Sequence, residues 1–135
     1  MRRSEQRRQA VFALYQHDLT GRPLAETFEP DASPLTRSLA HAAADLAPEL
    51  DEVIERHAHG WSVTRIAPLE RSILRIALVE ILHGDAVEAL RPIPPEGAID
   101  EAVQSAKEFC AAQAPAFVNG ILAAVLREVR EGARP

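Results

Sequence analysis

The placement of proline constrains this chain more than any other feature. A proline inside a helix removes one backbone hydrogen bond and clashes with the turn before it. Prolines at 23, 34, 48, 68, 92, 94, 95 and 115 cut the 135 residues into stretches of ordinary helix length. Between the cuts, apolar side chains recur with a helical period. Residues 4–19 carry Val11, Leu14 and Tyr15 on one face, and Gly21-Arg22-Pro23 ends that segment. A polar loop over 20–32 carries Phe28. Ser33-Pro34 reads as a helix start, because the hydroxyl caps a free N–H and proline suits the first helical position. Leu35, Leu39, Ala42, Ala43 and Leu46 continue it until Pro48 ends or kinks the helix. A further helix runs from Pro48 to Ala58 with Leu50, Val53 and Ile54 inward, closed by Gly60.

The segment Pro68–His83 is the most apolar. Leu69, Ile73, Ile76, Ala77 and Ile81 form one stripe, and Leu74, Leu78 and Leu82 form another beside it. Two stripes cover so much of a helix that it belongs at the centre of a fold. Gly84 is its expected C-terminal cap. Arg91-Pro92-Ile93-Pro94-Pro95 reads as a stiff connector. Residues 96–112 follow with Ile99, Ala102, Val103, Ala106 and Phe109 inward, then 115–130 with Phe117, Ile121, Leu122, Val125 and Val129. No stretch alternates as a strand does. The expectation is an all-α fold of six or seven helices in a single domain spanning 1–135.

Apolar residues make up 47% of the chain and aromatic ones only 4%, so the core must be aliphatic. Cys110 is alone, which rules out an internal disulfide and the usual cysteine-based zinc sites. The charged N-terminus has no apolar stretch behind it, and no run approaches the ~20 residues of a membrane span. A cytoplasmic location is expected. His57 and His59 point to different faces of a helix, a poor arrangement for sharing a metal. Adjacent acids such as Asp51-Glu52 and Asp100-Glu101 lack the facing geometry of acid–base catalysis. With no phosphate loop and no nucleophile beside a base, nothing points to an enzyme, a metal or a cofactor.

The net charge of −5 argues against a polyanionic partner, yet its distribution does not. Arg2, Arg3, Arg7 and Arg8 face a single acid, Glu5, within the first eight residues. On a helix Arg3 and Arg7 stack on one side and repel each other unless an anion intervenes. Phosphate contact is one reading, and a solvated, frayed terminus the other. Asn119 and Gly120 are poor helix formers inside a helix, which marks either close packing or a functional surface. For Gly120 the approach of a neighbouring helix is the favoured reading; Asn119 is evenly divided. Trp61 either stacks on a base or anchors the core, and its neighbours Val63 and Ile66 favour the core. Cys110, beside Phe109, reads as a small core filler.

Four segments together resemble the NusB transcription antitermination family. The first is Arg7-Arg8-Gln9-Ala10-Val11-Phe12-Ala13-Leu14-Tyr15-Gln16. The second runs from Trp61 through Ile66, Leu69, Glu70 and Arg71 to Ile73-Leu74-Arg75-Ile76-Ala77 and Glu80. The third is Pro94 through Lys107 and Phe109, and the fourth is Phe117-Val118-Asn119-Gly120-Ile121-Leu122. The resemblance implies a compact fold of about seven helices in two helical subdomains. It implies binding to boxA-type single-stranded RNA in ribosomal transcripts, together with the ribosomal protein NusE, within an antitermination complex on RNA polymerase. Some members are dimeric, so a homodimer is among the expected assemblies.

By position the resemblance places Arg3, Arg7, Gln113 and Phe117 toward RNA, and Tyr15 and Glu70 toward the protein partner; the basic cluster adds Arg2 and Arg8, and the Asn-Gly pair adds Asn119, as further candidate RNA contacts. Ser4 and Glu5 fall where relatives can carry arginine. Gly97 and Asp100 replace the usual Val and Asn of the third segment. A related helical domain precedes the catalytic domain of RNA cytosine methyltransferases. That reading applies only if the sequence is a fragment of a longer chain; antitermination is the expected role, and a NusB-like protein-interaction or RNA-binding module without that role, such as a methyltransferase-associated domain, is the alternative.

Overall fold

A computed structural model describes residues 2–87 and 93–132. Among these, six α-helices and three short 3-10 turns are present and no strand. The helices are α1 (Arg3–Thr20), α2 (Pro34–Asp45), α3 (Ala47–His57), α4 (Pro68–Leu82), α5 (Pro95–Phe109) and α6 (Ala114–Arg130). The single-turn 3-10 elements are Leu24–Glu26, Val63–Arg65 and Gly84–Ala86. Part of the expected connector, residues 91 and 92, lies outside the described residues.

Local chemistry explains most of the boundaries. Gly21 ends α1 in the left-handed conformation (φ 72°), where its N–H reaches the carbonyl of His17. Ser33 caps α2, its Oγ accepting from the Thr36 N–H at 3.1 Å. Proline sits in the first turn of α2, α3, α4, α5 and α6. Gly84 departs from expectation: α4 ends at His83, whose N–H returns to the Val79 carbonyl, and Gly84 instead opens a 3-10 turn. Helix α5 also stops early. Cys110 is extended (φ −120°, ψ 175°), so the chain leaves the helix three residues before Gln113.

Helix α4 is the hub. Every residue from Ser72 to Val79 is buried, and α1, α2, α3, α5 and α6 all pack against it. Leu14, Leu39, Leu50, Ile54, Leu74, Leu78 and Leu122 fill the aliphatic core around it. Burying a side chain of this size stabilises by about 1.5–3 kcal/mol. Helices α1 and α2 pack together on one side of α4, and α5 and α6 form an antiparallel pair on another. Arg130 donates to Glu96, tying the end of α6 to the start of α5.

Charge is buried alongside the hub. Arg75, on α4, holds Asp51 of α3 through two hydrogen bonds of 2.8 and 2.9 Å. Asp18 of α1 lies 3.6 Å from the same guanidinium and accepts from Arg71 at 3.0 Å. Arg71 also donates to the carbonyls of Val63 and Thr64, so one residue fixes the loop before α4.

Gly97 has a packing reason. A Cβ there would meet Ile93 Cγ1 at 2.8 Å, so glycine lets Ile93 lie against the first turn of α5. Gly120 does not. Nothing lies within 4 Å of where its Cβ would be, so the expected close approach of another helix is absent. Gly120 and Asn119 face outward on α6.

Candidate nucleic-acid interface

The four N-terminal arginines occupy three different environments. Arg2 and Arg3 are exposed, at the cap and first position of α1. Arg7 is not. Its side chain is 7% exposed and that of Glu80 on α4 is 6% exposed. Arg7 Nε donates to Glu80 Oε1 at 2.9 Å and Oε2 at 3.2 Å, and Nη2 donates to Oε2 at 3.0 Å. The expected stack of Arg3 and Arg7 on one solvated face is therefore replaced by an inward Arg7 committed to a carboxylate. Arg8 is half-buried and donates to Glu108 of α5 at 2.9 Å. Ser4 likewise reaches α5, donating to Glu101 at 2.8 Å.

These bonds fasten the start of α1 to the side of α5. Phe12 completes the attachment, meeting Phe109 edge-to-face with ring centroids 5.0 Å apart. Phe109 was expected inward, yet it is 43% exposed, because α5 ends at that residue and its ring lies on the rim against Phe12. Cys110 packs against the core beside it. Burial pushes the Cys110 thiol up, and the nearby Glu70 carboxylate pushes it further.

Beyond this rim the chain turns into α6 and borders an open groove of about 470 Å³. Gln113, Ala114 and Phe117 line one side, and Trp61, Arg65, Ile66, Ala67 and Glu70 the other. Three residues assigned by position thus meet in one place: Gln113 and Phe117 from the start of α6, and Glu70 from the first turn of α4. Burial raises the pKa of the Glu70 carboxyl above the ordinary carboxylate value. Asn119 is exposed on α6 and does not line the groove. Tyr15 is half-buried on α1 and does not line it either.

Trp61 overturns its expectation. It is 55% exposed, because the core beneath the loop is filled by Ile66, with Val63 packed against it, and the indole is left at the groove. The two residues missed by sequence reasoning are Arg65 and Glu108. Arg65 lies in the 3-10 turn next to Trp61, and its position between Gly60 and Pro68 was the available signal. Glu108 offered none, since its pairing with Arg8 spans 100 residues. Among the described residues no group of His, Cys, Asp and Glu is placed to hold a metal ion.

The NusB family model matches residues 4–127. The chain belongs to the NusB family. The transcription antitermination protein NusB of Rubrobacter xylanophilus is 35% identical over 90% of this chain and 88% of its own length. That of Symbiobacterium thermophilum is 35% identical over 98% of this chain and 94% of its own. Among solved structures, NusB of T. maritima superposes with a TM-score of 0.81 at 28% identity, covering 95% of this chain and 92% of that one. A NusB chain from a complex of antitermination factors NusB and NusE with double-stranded RNA has a TM-score of 0.76 at 27% identity, covering 94% and 98%. The all-helical NusB fold expected from the sequence is the fold observed. No helix among the described residues is long and apolar enough to cross a membrane.

Proposed function

We propose that this chain is a transcription antitermination factor that binds boxA-type RNA together with NusE and supports ribosomal RNA transcription by RNA polymerase. The observation that carries the reading is the meeting of Gln113, Phe117 and Glu70 in one open groove on a NusB fold. Relatives over nearly the whole chain are antitermination proteins, and a matching structure holds NusB with NusE and RNA. On this reading the chain is a single-domain binding factor rather than an enzyme and works in the cytoplasm.

Arg2 and Arg3 supply the phosphate contacts at the amino end of α1. Gln113, Phe117 and Asn119 meet the strand on and beside the groove. Single-stranded RNA is read by stacking and by hydrogen bonds to exposed base edges. Arg7 and Arg8 hold α1 in place through Glu80 and Glu108. Tyr15 faces NusE, and Glu70, which lines the groove, stands where NusE and the strand meet. An acidic chain with few open cations binds RNA weakly alone, and a basic partner extends the phosphate-binding surface, so RNA and partner bind cooperatively.

Fluorescence anisotropy with a labelled boxA-type RNA tests this. Affinity should rise when NusE is added and fall when Arg2→Ala and Arg3→Ala are combined. Identical RNA affinity with and without NusE defeats the proposal. An RNA affinity untouched by the double substitution removes Arg2 and Arg3 from the contact, and absence of RNA binding with NusE binding intact favours a protein-interaction module instead.

A further inference from the structure

The groove beside α6 contains more than the residues that place it on the RNA side. Its far wall is Trp61, more than half exposed in a chain whose other large aromatic side chains are mostly packed. A tryptophan buries a large apolar area and is seldom left in water without use. Phe117 lines the groove from α6, Arg65 from the 3-10 turn after Trp61, and the Gln113 side chain can both donate and accept hydrogen bonds. Aromatic faces with a guanidinium and an amide are the chemistry that holds an unpaired base. Every base has a π-face to stack, and its polar edge can meet an amide.

The charge in the groove orients such a ligand. The Glu70 carboxyl lines it from α4 and repels phosphate. Arg65, on the preceding 3-10 turn, attracts phosphate. A strand laid here would therefore put its base toward Glu70 and Gln113 and its backbone toward Arg65. A groove of about 470 Å³ has room for a base and its sugar.

We infer that Trp61 and Phe117 form a stacking subsite for one unpaired nucleobase of single-stranded RNA, with Arg65 holding the adjoining phosphate. The inference rests on the RNA-binding reading above and adds Trp61 and Arg65 to it. It differs in kind from the N-terminal contacts, being aromatic rather than ionic.

Trp61 is the chain's only tryptophan, so its fluorescence reports on the subsite directly. Titrating the full chain with a single-stranded boxA-type RNA should quench that emission. In anisotropy measurements with NusE present, Trp61→Ala should weaken RNA binding about 10-fold or more, the scale of one lost base stack. Trp61→Phe should restore most of the affinity. Because stacking displaces no counterion, Trp61→Ala should leave the salt dependence of affinity unchanged, whereas Arg65→Ala should flatten it. The exposed indole can be removed without opening the core, and an unchanged melting temperature of Trp61→Ala verifies this.

Unquenched emission with RNA affinity unchanged in Trp61→Ala overturns the subsite while leaving the broader function standing. So does a Trp61→Ala protein that loses NusE in the absence of RNA yet binds RNA normally, since the groove then belongs to the protein partner. Absence of RNA binding by the wild-type chain with NusE removes the broader function, and the subsite with it.

Discussion

At the scale of single residues, the Arg7–Glu80 pair shows how position and role can separate. A guanidinium with three short bonds to a carboxylate, both side chains almost fully buried, has spent its charge inside the protein. Removing one member leaves the other desolvated and unpaired, which costs about 3–5 kcal/mol. Arg7→Ala should therefore lower stability by about that amount in urea unfolding. The salt slope of RNA binding should stay as it was, since no phosphate contact is lost. A flattened slope in a still-folded Arg7→Ala protein would return Arg7 to the RNA surface. Glu70 gives a pH-dependent counterpart. Its carboxyl is shifted up by burial, so the folded state favours the protonated form. The related stability is full below the unfolded pKa of about 4.3 and declines as pH rises through the folded value. Glu70→Gln should raise the melting temperature at pH 7 and leave it unchanged near pH 3. An equal gain at both pH values would show that charge is not the cause.

The helices themselves were largely legible in the sequence, because their signals are local. Proline in the first turn, the Ser33 cap, Gly21 and the apolar period act within a few residues, so most boundaries lie within two residues of expectation. The end of α5 was missed because it is decided elsewhere: Phe109 turns out to meet Phe12, 97 residues earlier. The partners of Arg7 and Arg8 were hidden for the same reason: neighbours in sequence suggested a free basic cluster, while Glu80 and Glu108 come from distant segments. Trp61 differs, because the nearby Ile66 and Val63 that suggested a core anchor themselves fill the core and leave the indole outside. The groove was half legible, through Gln113, Phe117 and Glu70, and only the fold joined them. Helix α6 offers a prediction at this scale. Gly120 lies within it, facing open space, and glycine in a helix interior costs about 1 kcal/mol relative to alanine. Gly120→Ala should stabilise the protein by up to about 1 kcal/mol in urea unfolding. Destabilisation would mean that the site is packed. A stabilised variant that binds RNA less well would assign the bare backbone at Gly120 to the RNA surface.

At the scale of the whole molecule, the net charge of −5 sets the terms on which a polyanion is met. With two arginines of the first eight spent on Glu80 and Glu108, the remaining contacts are few. Counting Arg2, Arg3 and Arg65 as phosphate contacts gives a single-strand slope of log affinity against log salt of about −2. A slope much steeper for the chain without NusE would mean that unrecognised cations take part, or that Arg8 leaves Glu108 on binding.

Gly97 and Ile93 occupy what is nearly one volume, since the hydrogen of one residue makes room for the branched chain of the other. Bulk cannot be added at 97 while the Ile93 side chain stays where it is. A relative bearing valine where this chain has Gly97 must shrink or redirect its side chain at position 93, so the two sites should exchange bulk as a linked pair across the family, with the hinge into α5 preserved while its letters change.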